Sequence, residues 1–250
     1  MAYGGIIRFS DVLATSRQDA RIKSGCLVDT SILFAGSYDL DQFNTPAVEL
    51  FDFLGELAIP LFTNVNIRAE FLDLHRRVMI PEGMCSLLAE RGSSLPLPVQ
   101  AKLKSISASV AKHRAEQKTY KPNAEAISEW RKLLIEHSHQ SDGWLRFCTD
   151  FLQGKIESIW DETCEALGIN FLSLRDGDSS EWLTGQLTWD EMASIVGRFG
   201  IGSFDAMIIN LFLNSKFAAL ITADREIVYV IECLKPDGKY VVVPDCLQIR

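Results

Sequence analysis

Four acidic side chains stand where short apolar segments end or helical segments begin. Asp29 and Asp224 each come just after a short apolar run, whereas Glu70 and Asp205 lie in the opening turns of segments with helical spacing. Carboxylates held a few ångströms apart repel one another, so a cluster is stable only when it is protonated or neutralised by a cation. Hard oxygen ligands suit Mg²⁺ or Mn²⁺, which can activate a water molecule and neutralise charge on a phosphodiester. These residues therefore predict metal-dependent phosphoryl chemistry, provided that the fold brings them together.

The apolar runs have the character of buried β-strands. None of them alternates cleanly between apolar and polar residues, which is typical of strands covered on both faces in a parallel sheet. Segments with helical spacing fill the gaps, so the sequence predicts a three-layer α/β/α sandwich with a mostly parallel central sheet. The predicted strands are 26–28, 59–62, 169–174 ("INFLSL"), 218–221 and 240–243, and the clearest helices are 46–57, 66–79 and two that begin near Thr188 and Ser203.

A parallel sheet would gather the four acids. The carboxyl ends of its strands lie on one edge, together with the N-terminal ends of the helices that follow them. Taken singly, Asp205 is also explained by the favourable field of a helix N-terminus, and Asp224 by an ordinary turn or cap. Asp29 is harder to explain in that way, because an unpaired charge at the edge of a buried strand is costly. We therefore expect Asp29, Glu70, Asp205 and Asp224 to converge on one edge.

The middle of the chain differs in kind from its two ends. After a break at 91–98, three helical stretches follow without a strand between them, at about 99–118, 123–138 and 143–167. We therefore expect residues 1–80 and 168–250 to form an α/β domain that is interrupted by a helical insertion, 81–167. The first part of that insertion, 99–121, carries six basic side chains and one acidic side chain. This pattern is most typical of a solvated helix face, and phosphate binding is the alternative.

Composition limits the remaining possibilities. The chain has 250 residues, 47% of them hydrophobic, and a formal net charge of −8, which argues against a general nucleic-acid coat. No apolar run is long enough to span a membrane, so we expect a cytoplasmic protein without a membrane partner. The six cysteines lack the paired spacing of a zinc site and are expected to be small buried hydrophobes, and His137 and His139 are expected to be solvated.

Two helix starts carry capping signals. Thr188 and Glu191 have the S/T-x-x-E spacing of a capping box, and Ser203 is a candidate N-cap for the helix that bears Asp205.

The acidic segments resemble the motifs of the PIN-domain nucleases. The resemblance rests on "CLVDTSILF", "LFTNVNIRAEFLDL", "IGSFDAMIINLFL" and "ALITADREI", and it covers residues 24–80 and 168–245. It implies Mg²⁺- or Mn²⁺-dependent endonucleolytic cleavage, most often of RNA, with the metal held by Asp29, Glu70, Asp205 and Asp224. Glu226 matches a position where the family often has a second acid, and Thr30, Ser31 and Thr222 are expected to orient the carboxylates or the water.

Basic side chains are the candidate contacts for a single-stranded or loop RNA substrate. They are Arg68, Arg76, Arg77, Lys102, Lys112 and Arg114. The long insertion and the extra segment before the first strand distinguish the chain from small toxin-type members. The possible roles therefore include both a toxin with an antitoxin partner and an RNA-processing enzyme, and a homodimer or another protein partner is also compatible with the sequence.

Two other classes of function are compatible with parts of the pattern. A phosphatase that forms an aspartyl-phosphate typically has D-x-D-x-T after the first strand, whereas this chain has "DTS" and no second aspartate at that spacing. A catalytically idle PIN-like scaffold, with the helical insertion as its docking surface, is the alternative outside the enzymes. The presence of all four acids favours the nuclease.

Overall fold

One parallel sheet organises the fold. The structure, a computed structural model, describes residues 4–137, 143–172 and 179–249. Within these ranges, six strands form a sheet in which every neighbouring pair is parallel. In chain order they are β1 Gly5–Arg8, β2 Cys26–Val28, β3 Leu61–Asn64, β4 Ile169–Leu172, β5 Ala219–Ile221 and β6 Tyr240–Val243. The fold is a three-layer α/β/α sandwich, as the sequence predicts.

The chain divides into two compact units. The first comprises Met1–Asp39, Phe43–Phe71 and Thr163–Arg250 and contains the whole sheet. The second comprises Leu40–Gln42 and Leu72–Glu162, and its described elements are all helical. The insertion predicted from the sequence was 81–167, so the second unit begins earlier and ends earlier than expected.

Twelve α-helices are found in the described ranges, with short 3₁₀ and π segments between some of them. They are α1 Val12–Gln18, α2 Thr30–Ser37, α3 Asn44–Glu56, α4 Val65–Arg91, α5 Leu97–Ala115, α6 Ala124–Glu136, α7 Gly143–Cys148, α8 Gly154–Leu167, α9 Ser179–Trp182, α10 Trp189–Phe199, α11 Ser203–Leu213 and α12 Arg225–Leu234. Because crossovers between parallel strands are right-handed, this strand order puts α1 to α3 on one face of the sheet and α10 to α12 on the other by rule. In agreement, α2 packs against α3, and α11 packs against both α10 and α12.

The direction of the chain across the sheet reverses between β2 and β5. The strand order is β1-β6-β5-β2-β3-β4, so the chain proceeds from β2 through β3 to β4 and then returns to the opposite side of β2. In open parallel sheets, ligands bind at such a reversal, in the crevice beyond the carboxyl ends of the two strands. Asp29 follows β2 and Asp224 follows β5, so the reversal lies between two of the predicted acids.

Strand β3 lies two residues later than predicted. Ile59 lies just after α3, and its backbone N–H donates to the carbonyl of Leu54 in the last turn of that helix. Pro60 has no N–H to contribute to a ladder, and its carbonyl accepts from the Cys26 N–H at 2.9 Å. The strand continues through Asn64, whose polar character made it an unlikely strand residue from sequence alone.

Helix α4 continues well beyond the end predicted at residue 79. Pro81 lies inside it, although proline removes one hydrogen bond of a helix and crowds the preceding turn. The continuation is stabilised by packing within the second unit, where Ile80, Met84 and Leu87 are buried in a cluster with residues of α5 to α7.

Three further predictions are wrong in detail. The edge strand β1 was not predicted, because Ile7 is its one fully buried side chain and its partner β6 lies at the other end of the chain. Ser203 is the first residue of α11 and not its N-cap, which is Gly202. Cys233 and Cys246 are exposed rather than buried. Residues 173 and 174 of the predicted fourth strand, and His139, lie outside the described residues.

Among the described residues, only one of the two hydrogen bonds of the predicted capping box is formed at the start of α10. Thr188 accepts a hydrogen bond from the Glu191 N–H at 3.3 Å, as the sequence predicts. The Glu191 carboxylate instead accepts from the side-chain amide of Asn214 at 3.2 Å.

Candidate active site

All four predicted acids lie in the first unit, at the edge formed by the carboxyl ends of the strands. Asp29 is the N-cap of α2, directly after β2, and Asp224 is the N-cap of α12, after β5. Asp205 lies in the first turn of α11 and Glu70 in the second turn of α4, which follows β3. The placement expected from a parallel sheet is therefore the placement observed.

Asp29 is buried and held by three donors that share one oxygen. Its Oδ2 accepts from the Ser31 hydroxyl at 2.6 Å, the Thr222 hydroxyl at 2.8 Å and the Ser31 backbone N–H at 3.3 Å. Burial raises the pKa of this carboxyl, the hydrogen bonds from Ser31 and Thr222 lower it, and the charge of Asp224 raises it further. The group is 2% exposed, so its ionised form depends on these donors or on a cation.

Hydrogen bonds through two hydroxyls connect Asp29 to Asp224. The Thr222 hydroxyl, which donates to Asp29, accepts from the backbone N–H of Asp224 at 2.9 Å. The Ser31 hydroxyl accepts from the Ala223 N–H at 2.9 Å. Asp224 then accepts from the N–H groups at the start of α12, as an N-cap does. The positions of the two acids are thereby linked across the neighbouring strands β2 and β5.

Glu70 is connected to the same region through Thr30. The Thr30 hydroxyl donates to Glu70 Oε2 at 2.7 Å, and Thr30 itself is buried. Because Thr30 directly follows Asp29, this bond brings α4 to the beginning of α2. Thr30, Ser31 and Thr222 thus each donate a hydrogen bond to one of the two carboxylates.

The environment of Asp205 strongly perturbs its carboxyl group. It is half-buried, and none of the residues described by the structure donates a hydrogen bond to it. Its pKa is raised to about 7, first by desolvation, then by the charges of Asp224 and Glu70, and to a smaller extent by those of Asp29 and Glu226. Four other carboxylates therefore act on Asp205 at this edge of the sheet.

Oxygen atoms without protein donors remain on three of the acids. The donors to Asp29 converge on Oδ2, and those to Asp224 converge on Oδ1. Across the described ranges, nothing donates to Asp29 Oδ1, to Asp224 Oδ2 or to either oxygen of Asp205. The Thr63 hydroxyl oxygen is the one fully enclosed, unpartnered side-chain oxygen or nitrogen found there, so Asp29 Oδ1 keeps contact with solvent.

This donor set has the chemistry of a Mg²⁺ or Mn²⁺ site: hard carboxylate oxygens, oriented by a second layer of hydroxyls and backbone N–H groups. As they stand, however, no three His, Cys, Asp or Glu side chains in the described part of the chain are arranged as a finished ligand group. The acids are gathered closely enough to raise the pKa of Asp205, while Asp29, Glu70 and Asp224 each accept hydrogen bonds from protein groups.

Glu226, the auxiliary acid, and Arg68, a predicted RNA contact, are both exposed. Glu226 is exposed in the first turn of α12 and contributes the smallest of the charge effects on Asp205. Arg68 is exposed on α4, two residues before Glu70, and belongs to the same unit as the acids.

The other predicted RNA contacts belong to the second unit. There Arg76 pairs with Asp73, and Arg77 Nε donates to the carbonyl of Pro122 at 3.0 Å. Both guanidinium groups therefore already have a partner within the protein.

The basic residues of α5 are placed along an exposed face. Arg114 contacts Glu82 at 3.0 Å, and Lys102 lies 3.8 Å from Glu129. Lys112 is exposed. These contacts fit the interpretation of the basic stretch as a solvated face, and they also leave its charge at the surface.

Asn64 was not singled out from the sequence. It ends β3, is 1% exposed, and its Oδ1 accepts from the backbone N–H groups of Asn66 and Ile67, each at 3.1 Å. It therefore caps the helix that bears Glu70. A helix-capping residue type just before an apolar helical stripe was the available signal.

Comparison of the chain with models of protein families, with curated proteins and with solved structures finds no match. The resemblance to PIN-domain nucleases therefore remains a prediction from the motifs. No helix in the described ranges is both long and apolar enough to cross a membrane.

Proposed function

We propose that this protein is a metal-dependent endonuclease that hydrolyses phosphodiester bonds, with single-stranded or loop RNA as its substrate. The observation that carries the proposal is the environment of Asp205: a half-buried carboxylate without a described hydrogen-bond donor, whose pKa is raised to about 7 beside other acids. Strongly perturbed acids in a crevice are characteristic of functional sites. Clustered carboxylates of this kind favour a bound cation, because it relieves both their repulsion and their desolvation.

Asp29, Asp205 and Asp224 would hold the cation, and Glu70 would complete the site. Asp29 and Asp224 are each oriented through one oxygen and retain the other as a ligand atom. A pKa raised to about 7 leaves Asp205 partly protonated near neutral pH, and a bound cation would favour its ionised form. Ser31, Thr30 and Thr222 fix the orientation of the ligands, which is the part that outer-shell groups play in metal sites.

A divalent cation at this position supplies the chemistry by activating a water molecule and neutralising charge on the phosphodiester. The chain contributes the orientation of the acids and a crevice at the sheet reversal in which substrate binds. Water would attack the phosphorus and the P–O3′ bond would break, with the 3′ oxygen leaving as a hydroxyl, so the products would carry a 5′-phosphate and a 3′-hydroxyl. The assignment of RNA as substrate rests on the resemblance to PIN-domain nucleases.

Substrate binding has to overcome the overall charge of the protein. A net charge of −8 repels nucleic acid at long range, so affinity depends on local basic groups and on the cation itself. Arg68 is the candidate in the same unit as the acids, and the face with Lys102, Lys112 and Arg114 is a candidate in the second unit.

The test is cleavage of an end-labelled single-stranded RNA by the full chain with Mn²⁺, with and without excess EDTA, followed by analysis of the product ends. We expect cleavage that EDTA abolishes and products with a 5′-phosphate. A 2′,3′-cyclic phosphate, or cleavage that survives EDTA, would contradict the mechanism. Binding of Mn²⁺ without any cleavage would favour the idle scaffold instead.

A further inference from the structure

A small cavity lies at the same sheet edge as the acids. Its volume is about 250 Å³, and all of its lining residues belong to the first unit. Drug-sized ligands occupy pockets of about 300 to 1,000 Å³, so this cavity suits a single ring system. Its walls are apolar, formed by Leu187, Met192, Met207 and Leu211, with asparagine and threonine side chains between them.

The buried end of the cavity presents a hydrogen-bond donor of fixed identity. Asn64 lines the cavity and is 1% exposed, and its Oδ1 is occupied by two backbone N–H groups. This fixes the orientation of the amide, since only the oxygen can accept those bonds. Its Nδ2 has no hydrogen-bond partner among the described residues and is not a fully enclosed atom, so it is open to the cavity.

A second amide lies between the cavity and the acids. Asn66 lines the cavity, and no described group hydrogen-bonds to its side chain. It stands four residues before Glu70 on α4, which places the two side chains on the same helix face with Cβ atoms about 6 Å apart. The cavity therefore opens one helical turn from an acid of the candidate active site.

One exposed aromatic side chain lines the cavity, and a second lies on the helix stripe that also lines it. Trp189 is one of the lining residues, yet it is 70% exposed. Phe204 is exposed as well and precedes the lining residues Met207 and Leu211 by three and seven positions on α11, so it extends the same helical stripe. Large aromatics exposed beside a cavity are suited to stacking on the face of a planar ring.

We propose that this cavity is a nucleobase pocket that receives one unpaired base of single-stranded RNA. Trp189 stacks on the entering strand and Asn64 Nδ2 donates to an acceptor on the edge of the bound base. This inference rests on the proposed function, because it takes the adjoining acids as the place of cleavage. It explains features that metal binding does not use, namely the unpartnered donor of Asn64 and the exposure of Trp189.

The fixed donor implies a preference among the bases. A carbonyl oxygen on the edge of uracil or guanine presents two lone pairs to an amide N–H, whereas adenine has no carbonyl and its acceptors are ring nitrogens with one lone pair each. We therefore expect uracil to be bound more tightly than adenine. Apolar packing favours the larger ring of adenine, so a preference for uracil would come from the amide.

The experiment measures binding of labelled oligouridine and oligoadenine to the full chain by fluorescence anisotropy in EDTA, where cleavage is absent. Oligouridine should bind about fivefold more tightly than oligoadenine, the effect of one direct hydrogen bond. The variant Asn64→Asp retains the two accepted N–H bonds of the helix cap but loses the donor, so it should remove the preference for uridine. Trp189→Ala should weaken both complexes about tenfold, and Trp189→Phe, which retains a stacking ring, should retain most of the affinity.

Equal affinity for the two oligomers, no measurable binding, an unchanged preference in Asn64→Asp or unchanged affinity in Trp189→Ala would each overturn the pocket. The circular dichroism of each variant establishes that it is folded. If both variants cleave RNA in Mn²⁺ at the wild-type rate, the proposed base pocket is wrong and the proposed nuclease activity stands. If the protein binds oligouridine more tightly than oligoadenine but cleaves neither in Mn²⁺, the proposed nuclease activity is wrong and the proposed base pocket stands.

Discussion

The hydroxyl of Thr222 donates a 2.8 Å hydrogen bond to the carboxylate of Asp29, although the two residues lie 193 positions apart in the chain. Thr222 follows β5 and Asp29 follows β2, the two neighbouring strands between which the chain reverses direction across the sheet. The same hydroxyl accepts from the Asp224 N–H at 2.9 Å. A single buried side chain therefore sets the relative position of two of the proposed metal ligands.

Replacing Thr222 by valine tests that positioning role. The valine has nearly the same shape but neither donates to Asp29 nor accepts from Asp224, so the affinity for Mn²⁺ measured by calorimetry should fall about tenfold. The free energy of unfolding should fall by about 1 to 3 kcal/mol, because buried polar groups lose their partners. The control is Ser109→Ala, which removes an exposed hydroxyl from the second unit and should change neither quantity. Unchanged Mn²⁺ affinity in Thr222→Val would contradict the positioning role.

The variant Asp29→Asn removes the charge of Asp29 while retaining an oxygen that can accept its hydrogen bonds. An amide oxygen can still accept from Ser31 and Thr222, so the fold should be retained while repulsion with Asp224 is relieved. Mn²⁺ binding should nevertheless be lost, because a carboxylate ligand is missing. Calorimetry of folded Asp29→Asn is the measurement, and wild-type affinity in this variant would refute the shared metal site.

The raised pKa of Asp205 predicts how stability depends on pH. Between its ordinary value of 3.8 and about 7, the folded protein holds a proton on Asp205 that the unfolded chain has released. The free energy of unfolding therefore falls as pH rises through this window. In Asp205→Asn that loss should be absent, so the variant should be more stable than wild type above about pH 7 and equal to it near pH 4.

Thermal unfolding across this pH range, without divalent ions, measures the effect. Asp52→Asn, at an exposed position of α3, is the matched control and should follow wild type. A stability difference between wild type and Asp205→Asn that does not vary with pH would contradict the charge cluster.

Arg68 allows the substrate contact in the first unit to be tested. If it binds a phosphate, Arg68→Ala should weaken RNA binding and reduce the slope of log K against log salt by about 0.7, the value for one contact on a single strand. Mn²⁺ affinity should not change. Arg17→Ala, at an exposed position of α1, serves as control, and equal salt slopes in the two variants would remove Arg68 from the interface.

The arrangement of strands was largely predictable because most of the strands are continuous apolar runs. Strand β6 lies at the predicted residues, and β2 does as well. The same patterns predicted that the acids would share one edge, since that follows from parallel pairing alone. Strand β1 could not be predicted in this way, because its stability comes from pairing with a strand at the far end of the chain.

Features that depend on tertiary contacts could not be predicted from the sequence. Proline predicts the end of a helix, and only the packing of Ile80 and Met84 in the second unit explains why α4 continues through Pro81. Asn64 is a similar case, since its unpartnered amide nitrogen becomes apparent only when its oxygen is seen to cap α4. The type of a residue does not show whether its side-chain donor will lack a hydrogen-bond partner in the folded protein.

The rate at which the full chain cleaves a single-stranded RNA in Mn²⁺, compared between wild type and Asp205→Asn, tests the central claim most directly. The substitution retains the shape of the side chain and removes one carboxylate of the proposed site, so its fold can be verified independently by thermal unfolding. We predict cleavage by wild type and a loss of at least about a hundredfold in the variant, as expected when a ligand of a catalytic metal is removed. Equal rates in the two proteins, or no Mn²⁺-dependent cleavage by wild type, would contradict the account.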